Sequence, residues 1–197
     1  MGYFVERMRI FGWFKRAGAS PTGSRKRWRS DWAAAVRDTD RSAIESLRAR
    51  LGEDPDMAQD VEVEDEMLDA LERLIALLDD LQAGRLPQIE TMHHVVAHDV
   101  CHFSAPVSMP DHAAQPSGRL LFTGSRAVFI GGARLTAIPW HAATQAARDD
   151  RDLLLVRADL STAYRFRCNT YADALCATAL AHHLLTRARG ATRSRDL

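Results

Sequence analysis

Residues 118–140, GRLLFTGSRAVFIGGARLTAIPW, constrain the fold of this chain more than any other segment. Two apolar runs, residues 119–123 and 126–130, are separated only by Gly124-Ser125, a spacing typical of a β-hairpin with a type II′ turn. Gly131-Gly132 then permits a second tight reversal, because glycine adopts positive φ at little cost. The segment therefore predicts three consecutive antiparallel strands.

The residues that follow also have the pattern of short strands separated by turns. Residues 152–157 (DLLLVR) and 163–168 (AYRFRC) predict two more strands, and the second places Tyr164, Phe166 and Cys168 on one face. Between them and Trp140, the alanine-rich residues 141–147 favour a strand, with a short helix as the alternative.

A helix and one upstream strand complete this half of the chain. Apolar residues recur at helical spacing over residues 171–188, and Asn169 or Thr170 is a suitable N-cap. Residues 100–104 (VCHFS) read as a strand. We therefore expect an α+β fold, with an N-terminal helical segment followed by about seven antiparallel strands and a capping helix.

The segment GRLLFT (residues 118–123), Arg126 with Val128-Phe129, the Ile138-Pro139-Trp140 strand and the terminal helix together resemble the PH-like superfamily, specifically bacterial PH and GRAM-like domains. The resemblance covers residues 87–188. It implies an antiparallel β-barrel or sandwich closed by a helix. It also implies a non-enzymatic interaction module.

Lipid-binding members of that superfamily gather lysines and arginines in the loop between their first two strands. The matching loop here, residues 109–117, contains Asp111 and neither Lys nor Arg. Phosphate capture requires cationic donors, so a protein or peptide is the expected ligand. An exposed edge strand could bind it by β-augmentation.

Charge divides the chain into segments although the formal net charge is +0. Residues 1–30 carry eight bases and one acid, whereas residues 53–80 carry twelve acids and one base. We predict a basic flexible arm (residues 1–26), a helical domain (27–84), a PH/GRAM-like domain (85–190) and a short tail (191–197).

The basic arm is a candidate membrane contact. It mixes bases with aromatic residues, and each base near an anionic leaflet contributes about 1 kcal/mol. The alternative is a disordered or mis-assigned start whose aromatic residues merely lie on the body of the protein. The predicted contact residues are Arg7, Arg9, Phe11, Trp13, Lys15 and Arg16.

Location and cofactor use follow from what the sequence lacks. It has no bilayer-length apolar run, no secretory signal, and three cysteines without a CxxC pair. We expect a cytoplasmic protein, peripheral at the inner face of the membrane if the arm binds there. No folded basic face predicts nucleic-acid binding, and no motif predicts catalysis or a cofactor.

Helical patterns dominate residues 27–84. Trp28 and Trp32 share a helical face, and Ser42 with Glu45 forms a capping box for a second helix. The strongest stripe lies in residues 56–83. That stripe either packs on the preceding helices or forms a homodimer. Its members are Met67, Leu68, Leu71, Leu74, Ile75, Leu78 and Leu81.

The histidine-rich residues 93–102 offer the alternative function, a metal-binding protein or metal-dependent enzyme. On a helix, His94, His98 and His102 would share one face and could bind a divalent metal. On a strand, His94 and His98 would lie about 13 Å apart, too far to share one ion. Val95-Val96 favours the strand, and we therefore expect no metal site.

The arm generates the first testable prediction. If it contacts membranes, the full-length chain will co-sediment with anionic vesicles, and added salt will release it because the attraction is electrostatic. A shortened chain that begins at Arg27 is the control and should stay in the supernatant. Equal behaviour of the two chains would contradict a membrane role for the arm.

Overall fold

A computed structural model of the chain describes residues 23–54, 61–93, 99–132, 134–157 and 163–193. Its elements confirm the α+β fold class. In chain order they are α1 (Gly23–Asp38), α2 (Ala43–Glu53), α3 (Glu62–Gln82), β1 (Cys101–Ser108), β2 (Ser117–Thr123), β3 (Arg126–Gly131), β4 (Arg134–Pro139), a 3-10 turn (Trp140–Ala142), β5 (Ala143–Asp149), β6 (Asp152–Arg157), β7 (Ala163–Cys168) and α4 (Tyr171–Arg193).

The seven strands form one antiparallel sheet in the order β4-β3-β2-β1-β7-β6-β5. The β1–β7 pairing is confined to Val107 with Cys168 and Ser108 with Arg167, so the sheet consists of a four-strand and a three-strand half. Among the described strands, β4 and β5 are the two ends and do not pair. The predicted strand content and terminal helix are confirmed, but the sheet is an open sandwich rather than a closed barrel.

Both sheet halves and α4 share one apolar core. Phe122, Phe129, Phe166 and Trp140 are each at most 1% exposed, and Phe122 meets the Trp140 ring edge-on at 5.2 Å. The Trp140 indole also donates a hydrogen bond to the Thr123 carbonyl oxygen at 2.8 Å. The Ile-Pro-Trp segment thereby anchors β4 and the following turn to the centre of the sheet.

Two glycines are required by the backbone around β3. Gly132 has a φ of +58° in the β3–β4 turn, which confirms the predicted reversal. Gly118 allows β2 to approach β3 closely, since a Cβ atom there would lie 2.1 Å from the Ile130 carbonyl oxygen. A side chain at Gly118 would force the two strands apart.

The β2–β3 turn corrects the predicted type II′ geometry. The hairpin and its two-residue loop are present, but Gly124 does not have the positive φ that a type II′ turn requires. The Thr123 hydroxyl instead accepts hydrogen bonds from the backbone N–H groups of Ser125 and Arg126, each at 3.2 Å. The side chain before the turn therefore stabilises its shape.

Strand β1 continues past Pro106 to Ser108, beyond the predicted end at Ser104. Proline is tolerated because Pro106 pairs with Arg119 of β2 while the β7 pairing covers only Val107 and Ser108. The alanine-rich segment after Trp140 forms β5, as predicted. The Thr170 hydroxyl caps α4 by accepting the Asp173 N–H at 3.0 Å.

The twin tryptophans join the three N-terminal helices. Trp28 donates its indole N–H to the Leu47 carbonyl oxygen of α2 at 2.9 Å, and Trp32 donates to the Met67 carbonyl oxygen of α3 at 2.6 Å. The predicted capping box is wrong, because Ser42 makes no side-chain cap and instead donates to the Asp40 carboxylate. Two helices nevertheless form where the sequence predicts them.

The apolar stripe of α3 lies inside the chain. Its residues are buried against α1, α2 and α4, apart from a half-buried Leu78. The observed helix spans Glu62–Gln82, and residues 55–60 lie outside the described part. Packing within the chain therefore accounts for this stripe. The homodimer through residues 56–83 gains no support from the stripe and stays a prediction.

Helix α3 also forms ion pairs with its neighbours. Glu64 is fully buried and pairs with Arg29 of α1 at 2.6 Å, and Glu72 pairs with Arg48 of α2 at 2.5 Å. Further pairs join Asp79 to Arg41 and Asp80 to Arg85. The acidic helix face is thus neutralised largely from within the chain.

The helical segment contacts the sheet where α4 begins. The Glu66 carboxylate accepts the Tyr171 backbone N–H at 2.7 Å and a hydrogen bond from Arg151 of the β5–β6 turn at 2.7 Å. The Trp32 and Tyr171 rings meet edge-on at 5.6 Å. One carboxylate therefore accepts a backbone N–H of the first turn of α4 and also binds the arginine of the β5–β6 turn.

We predict that Glu66→Ala lowers the free energy of unfolding by about 1–3 kcal/mol, because it leaves the Tyr171 N–H without its carboxylate partner. Urea unfolding followed by tryptophan fluorescence and circular dichroism measures this. Glu72→Ala is the matched control in the same helix and should cost at most about 1 kcal/mol, since its ion pair is exposed. Equal losses in the two variants would contradict a special role for Glu66.

Candidate interaction edge

Strand β4 presents an open backbone edge. Trp140 donates its N–H to the Ser125 carbonyl oxygen at 3.1 Å, and alternation along the antiparallel pair makes Ile138, Thr136 and Arg134 the residues bonded to β3. The N–H and C=O groups of Leu135 and Ala137 therefore point away from β3. No described strand pairs with them. We call this outer side of Arg134–Pro139 the β4 edge.

The side chains beside the β4 edge are apolar and accessible. Leu135 is 53% exposed, and Ala137 is also exposed. Leu135 pairs across the sheet with Ile130, and Ile130 pairs with Arg119, so all three share the outer face. The edge thus combines outward backbone groups with an apolar side chain that a further strand could cover.

The other end of the sheet, at β5, is covered by helix α4. The guanidinium of Arg189 on α4 donates to the Thr144 carbonyl oxygen of β5. Ala143 and Ala146 of β5 are buried in the shared core. Helix α4 therefore covers β5 and leaves β4 as the more open of the two edges.

The sequence predicts binding at an exposed edge strand without identifying the strand. The signal in the sequence was Leu135, an apolar residue in the last strand of the meander. It lies on the face of β4 opposite to the core-facing Ile138. Only the strand order reveals that β4 lies at an end of the sheet.

The predicted membrane-contact residues lie outside the described part of the chain. These residues are Arg7, Arg9, Phe11, Trp13, Lys15 and Arg16. Within the described residues, no helix combines the length and apolar character needed to span a bilayer. The membrane role of the arm stays a prediction.

The histidine segment is described only in part. His94 and His98 lie outside the described residues, whereas His93 precedes the gap and His102 lies in β1. His102 is 9% exposed, and its Nδ1 atom lies 2.7 Å from the Pro87 carbonyl oxygen. Among the described residues, no group of three or more histidine, cysteine or acidic side chains is placed to hold a metal ion.

The loop that would match a lipid headgroup site carries a carboxylate near an arginine. Asp111 lies 4.0 Å from the Arg165 guanidinium, which also contacts Asp152 at 2.6 Å and Asp149 at 3.5 Å. Arg165 is therefore surrounded by acids, and these contacts oppose binding of a phosphate group there.

Asp152 is the centre of this ionic cluster. It is 2% exposed and accepts hydrogen bonds from both Arg165 and Arg167. Burial alone would raise the pKa of Asp152, but the hydrogen bonds from Arg167 and Arg165 outweigh it and keep the pKa below its usual value. The cluster is suited to holding β6 and β7 together.

The described cysteines are poor nucleophiles. Burial, with the nearby carboxylate of Asp173, raises the pKa of Cys168 to about 12 and that of Cys176 to about 11. Burial also raises the pKa of Cys101. Because the thiolate is the reactive form, these thiols are suited to packing rather than to covalent chemistry at neutral pH.

No known protein family and no curated protein sequence matches the chain. Solved structures with a similar fold include the C-terminal domain of an unknown protein from Leishmania infantum, with a TM-score of 0.40 and 14% identity, over 46% of this chain and 89% of that one. They also include the DH/PH domains of the p115-RhoGEF R399E mutant, with a TM-score of 0.41 and 11% identity.

An N-terminally truncated linker-DH/PH structure of p115-RhoGEF gives a TM-score of 0.40 and 10% identity. Both p115-RhoGEF structures match over 82% of this chain and 55% of their own. The strand order and the terminal helix define the α+β fold of the chain.

Two half-buried histidines of α4, His182 and His183, generate a prediction about pH. Burial, with the positive charge of Arg189, lowers the pKa of His182, and burial with Arg187 lowers that of His183. The unfolded chain therefore binds protons at a higher pH than the folded one. The contribution of the two histidines to stability should be fully present above about pH 6.5 and be lost as the pH falls through their folded pKa values.

Urea unfolding at a series of pH values measures this dependence. His182→Gln should flatten the curve below pH 6.5, because it removes one of the two titrating groups. A curve that keeps its full slope in His182→Gln would contradict the prediction.

Proposed function

We propose that the chain is a non-enzymatic interaction module that binds an extended segment of a partner protein along the β4 edge. The observation that carries this proposal is the outward direction of the Leu135 and Ala137 backbone groups at an end of the sheet where no described strand pairs with them. A partner strand would satisfy these groups by antiparallel or parallel pairing.

The energetic terms favour this use of the edge. Each backbone hydrogen bond contributes about 0.5–1.5 kcal/mol net, and covering Leu135 adds hydrophobic stabilisation. The edge strand is held rigidly, because Ile138 belongs to the core and Trp140 is anchored to Thr123. A rigid receptor reduces the entropic cost of binding.

A non-enzymatic role agrees with the chemistry of the described residues. Their cysteines have raised pKa values. Two buried carboxylates among them, Glu64 and Asp152, form ion pairs with arginines. We retain the finer sequence expectations within this proposal, namely a bacterial, GRAM-like, cytoplasmic module that the basic arm holds weakly at the inner membrane face. The vesicle experiment addresses the arm independently of the β4 edge.

Peptide selection with a backbone-blocking variant tests the proposal. Peptides enriched from a random displayed library on the wild-type chain should bind at least tenfold more weakly to Ala137→Pro, which removes one outward N–H and keeps the bonds to β3. Ala137→Val is the matched control, because it retains the N–H, and should bind as the wild type does. Thermal unfolding of both variants verifies that the sheet is intact.

Amide hydrogen exchange provides a second readout that does not depend on a variant. Binding of an enriched peptide should slow exchange at Leu135 and Ala137, whose N–H groups point outward in the free chain. Protection elsewhere, equal binding to Ala137→Pro, or a library that yields no binding peptide would each overturn the proposal.

A further inference from the structure

The outer face of β2–β4, which is directed away from the core shared with α4, carries an apolar band. One row across the strands pairs Leu121 with Val128 and Val128 with Ala137, and the next row pairs Ile130 with Leu135. Because the side chains of directly opposed residues lie on the same face of an antiparallel sheet, these five side chains are neighbours. We call them the apolar band.

Burial of the apolar band decreases toward the β4 edge. Leu121 and Val128 are at most 1% exposed and belong to an apolar cluster separate from the core, and Ile130 is partly buried against that cluster. In β4, by contrast, the side chains of Leu135 and Ala137 are exposed. The band therefore continues to the β4 edge and ends there in accessible apolar side chains.

A strand added at the β4 edge would extend the apolar band by one strand. In an antiparallel pair, the residues opposite Ala137 and Leu135 would exchange backbone hydrogen bonds with them at a Cα–Cα distance of about 5.5 Å, with their side chains on the outer face. These two partner residues are separated by one residue, which faces the other side. Apolar side chains at the two positions would cover Leu135 and Ala137, whereas charged ones would lose hydration there.

Proline limits the length of this pairing. Pro139 is the next residue on the outward side of β4, and proline has no N–H to donate. Within Arg134–Pro139, the outward N–H donors are therefore those of Leu135 and Ala137. A partner consequently needs only a short extended run, in which two outer-face residues enclose one residue of the opposite face.

We infer that the β4 edge selects a short strand of a partner protein with apolar residues at two positions separated by one residue, and that this apolar pair, rather than charge, determines which segments bind. This inference rests on the proposed function and specifies the chemistry of its partner. The observation that carries it is the apolar band, which ends exposed at Ala137 and Leu135. Strand β4 of a second copy has the same alternation, so the test separates these two partners.

Three synthetic peptides of about ten residues, a length that covers one strand, provide the probes. Valine and threonine alternate in the first peptide and occur in adjacent pairs in the second, and the third has threonine at every position. Because valine and threonine are both β-branched and favour strands, the peptides differ mainly in where they are apolar. Fluorescence anisotropy with the full chain at about 0.1 M and about 1 M salt measures their binding.

The alternating peptide should bind about tenfold more tightly than the all-threonine peptide, because it covers both exposed side chains with apolar groups. The paired peptide should lie between them, since it presents one valine and one threonine at the two positions. The order should be the same at both salt concentrations, because the preference is not electrostatic.

A substitution in the chain tests the same contact from the other side. Leu135→Gln should weaken the alternating peptide severalfold and leave the all-threonine peptide nearly unchanged, because it removes the apolar surface and keeps the backbone groups. Met92→Gln, a polar substitution of another exposed apolar side chain, is the matched control and should have no effect. Thermal unfolding verifies that both variants are folded. An equal loss for the two peptides in Leu135→Gln would contradict the apolar preference.

The outcomes separate this inference from the proposed function. Equal binding of the alternating and all-threonine peptides that is lost in Ala137→Pro would overturn the apolar preference and leave the β4 edge as a peptide site. Binding that survives in Ala137→Pro, or no binding by any peptide and no protection of Leu135 or Ala137, would overturn both. A dimer in sedimentation that Ala137→Pro converts to monomer would replace the partner protein with a second copy.

Discussion

Helix α4 is the element on which both apolar cores depend. Leu180, Leu184 and Leu185 belong to the core of the sheet, whereas Tyr171 and Leu175 at the other end of the helix belong to the helical cluster. The Glu66 carboxylate fixes the point where the two meet. Because it satisfies the Tyr171 N–H and pairs with Arg151, the helical segment, the β5–β6 turn and α4 hold one another in place.

The same helix makes the two ends of the sheet unequal. Its C-terminal half covers β5 and donates the Arg189 hydrogen bond to Thr144, so the β5 end is protected. Nothing comparable among the described residues protects β4, although exposed edges favour unwanted pairing with other chains. The edge is short and ends in Pro139, and both features restrict which strands can pair with it.

Local patterns predicted most of the fold, because each strand and helix is specified by nearby residues. Gly132, Phe122, Phe166 and Thr170 all do what their sequence context indicates. The errors arose where a side chain competed with a backbone preference. Thr123 changed the geometry of the Gly124-Ser125 turn, and the Ser42 hydroxyl donates to the Asp40 carboxylate instead of capping α2.

The candidate site could not be located in the same way, because it depends on strand order. Leu135 alternates with the core-facing Ile138 and so lies on the outer face of the sheet, but only the strand order shows that β4 is an end strand among the described strands. The histidine segment illustrates the opposite limit. Its histidines are close together in the sequence, but whether they could share a metal ion depends on whether they form a helix or a strand. Sequence periodicity leaves that choice open.

The contact pattern also shows what the net charge of +0 conceals, namely that many charges join one element of the fold to another. Acids of α3 pair with arginines of α1, α2 and the β5–β6 turn, and Asp152 pairs with Arg165 and Arg167. These pairs join the helices to one another and to the sheet, and they join β6 to β7, so the charges in them stabilise the fold.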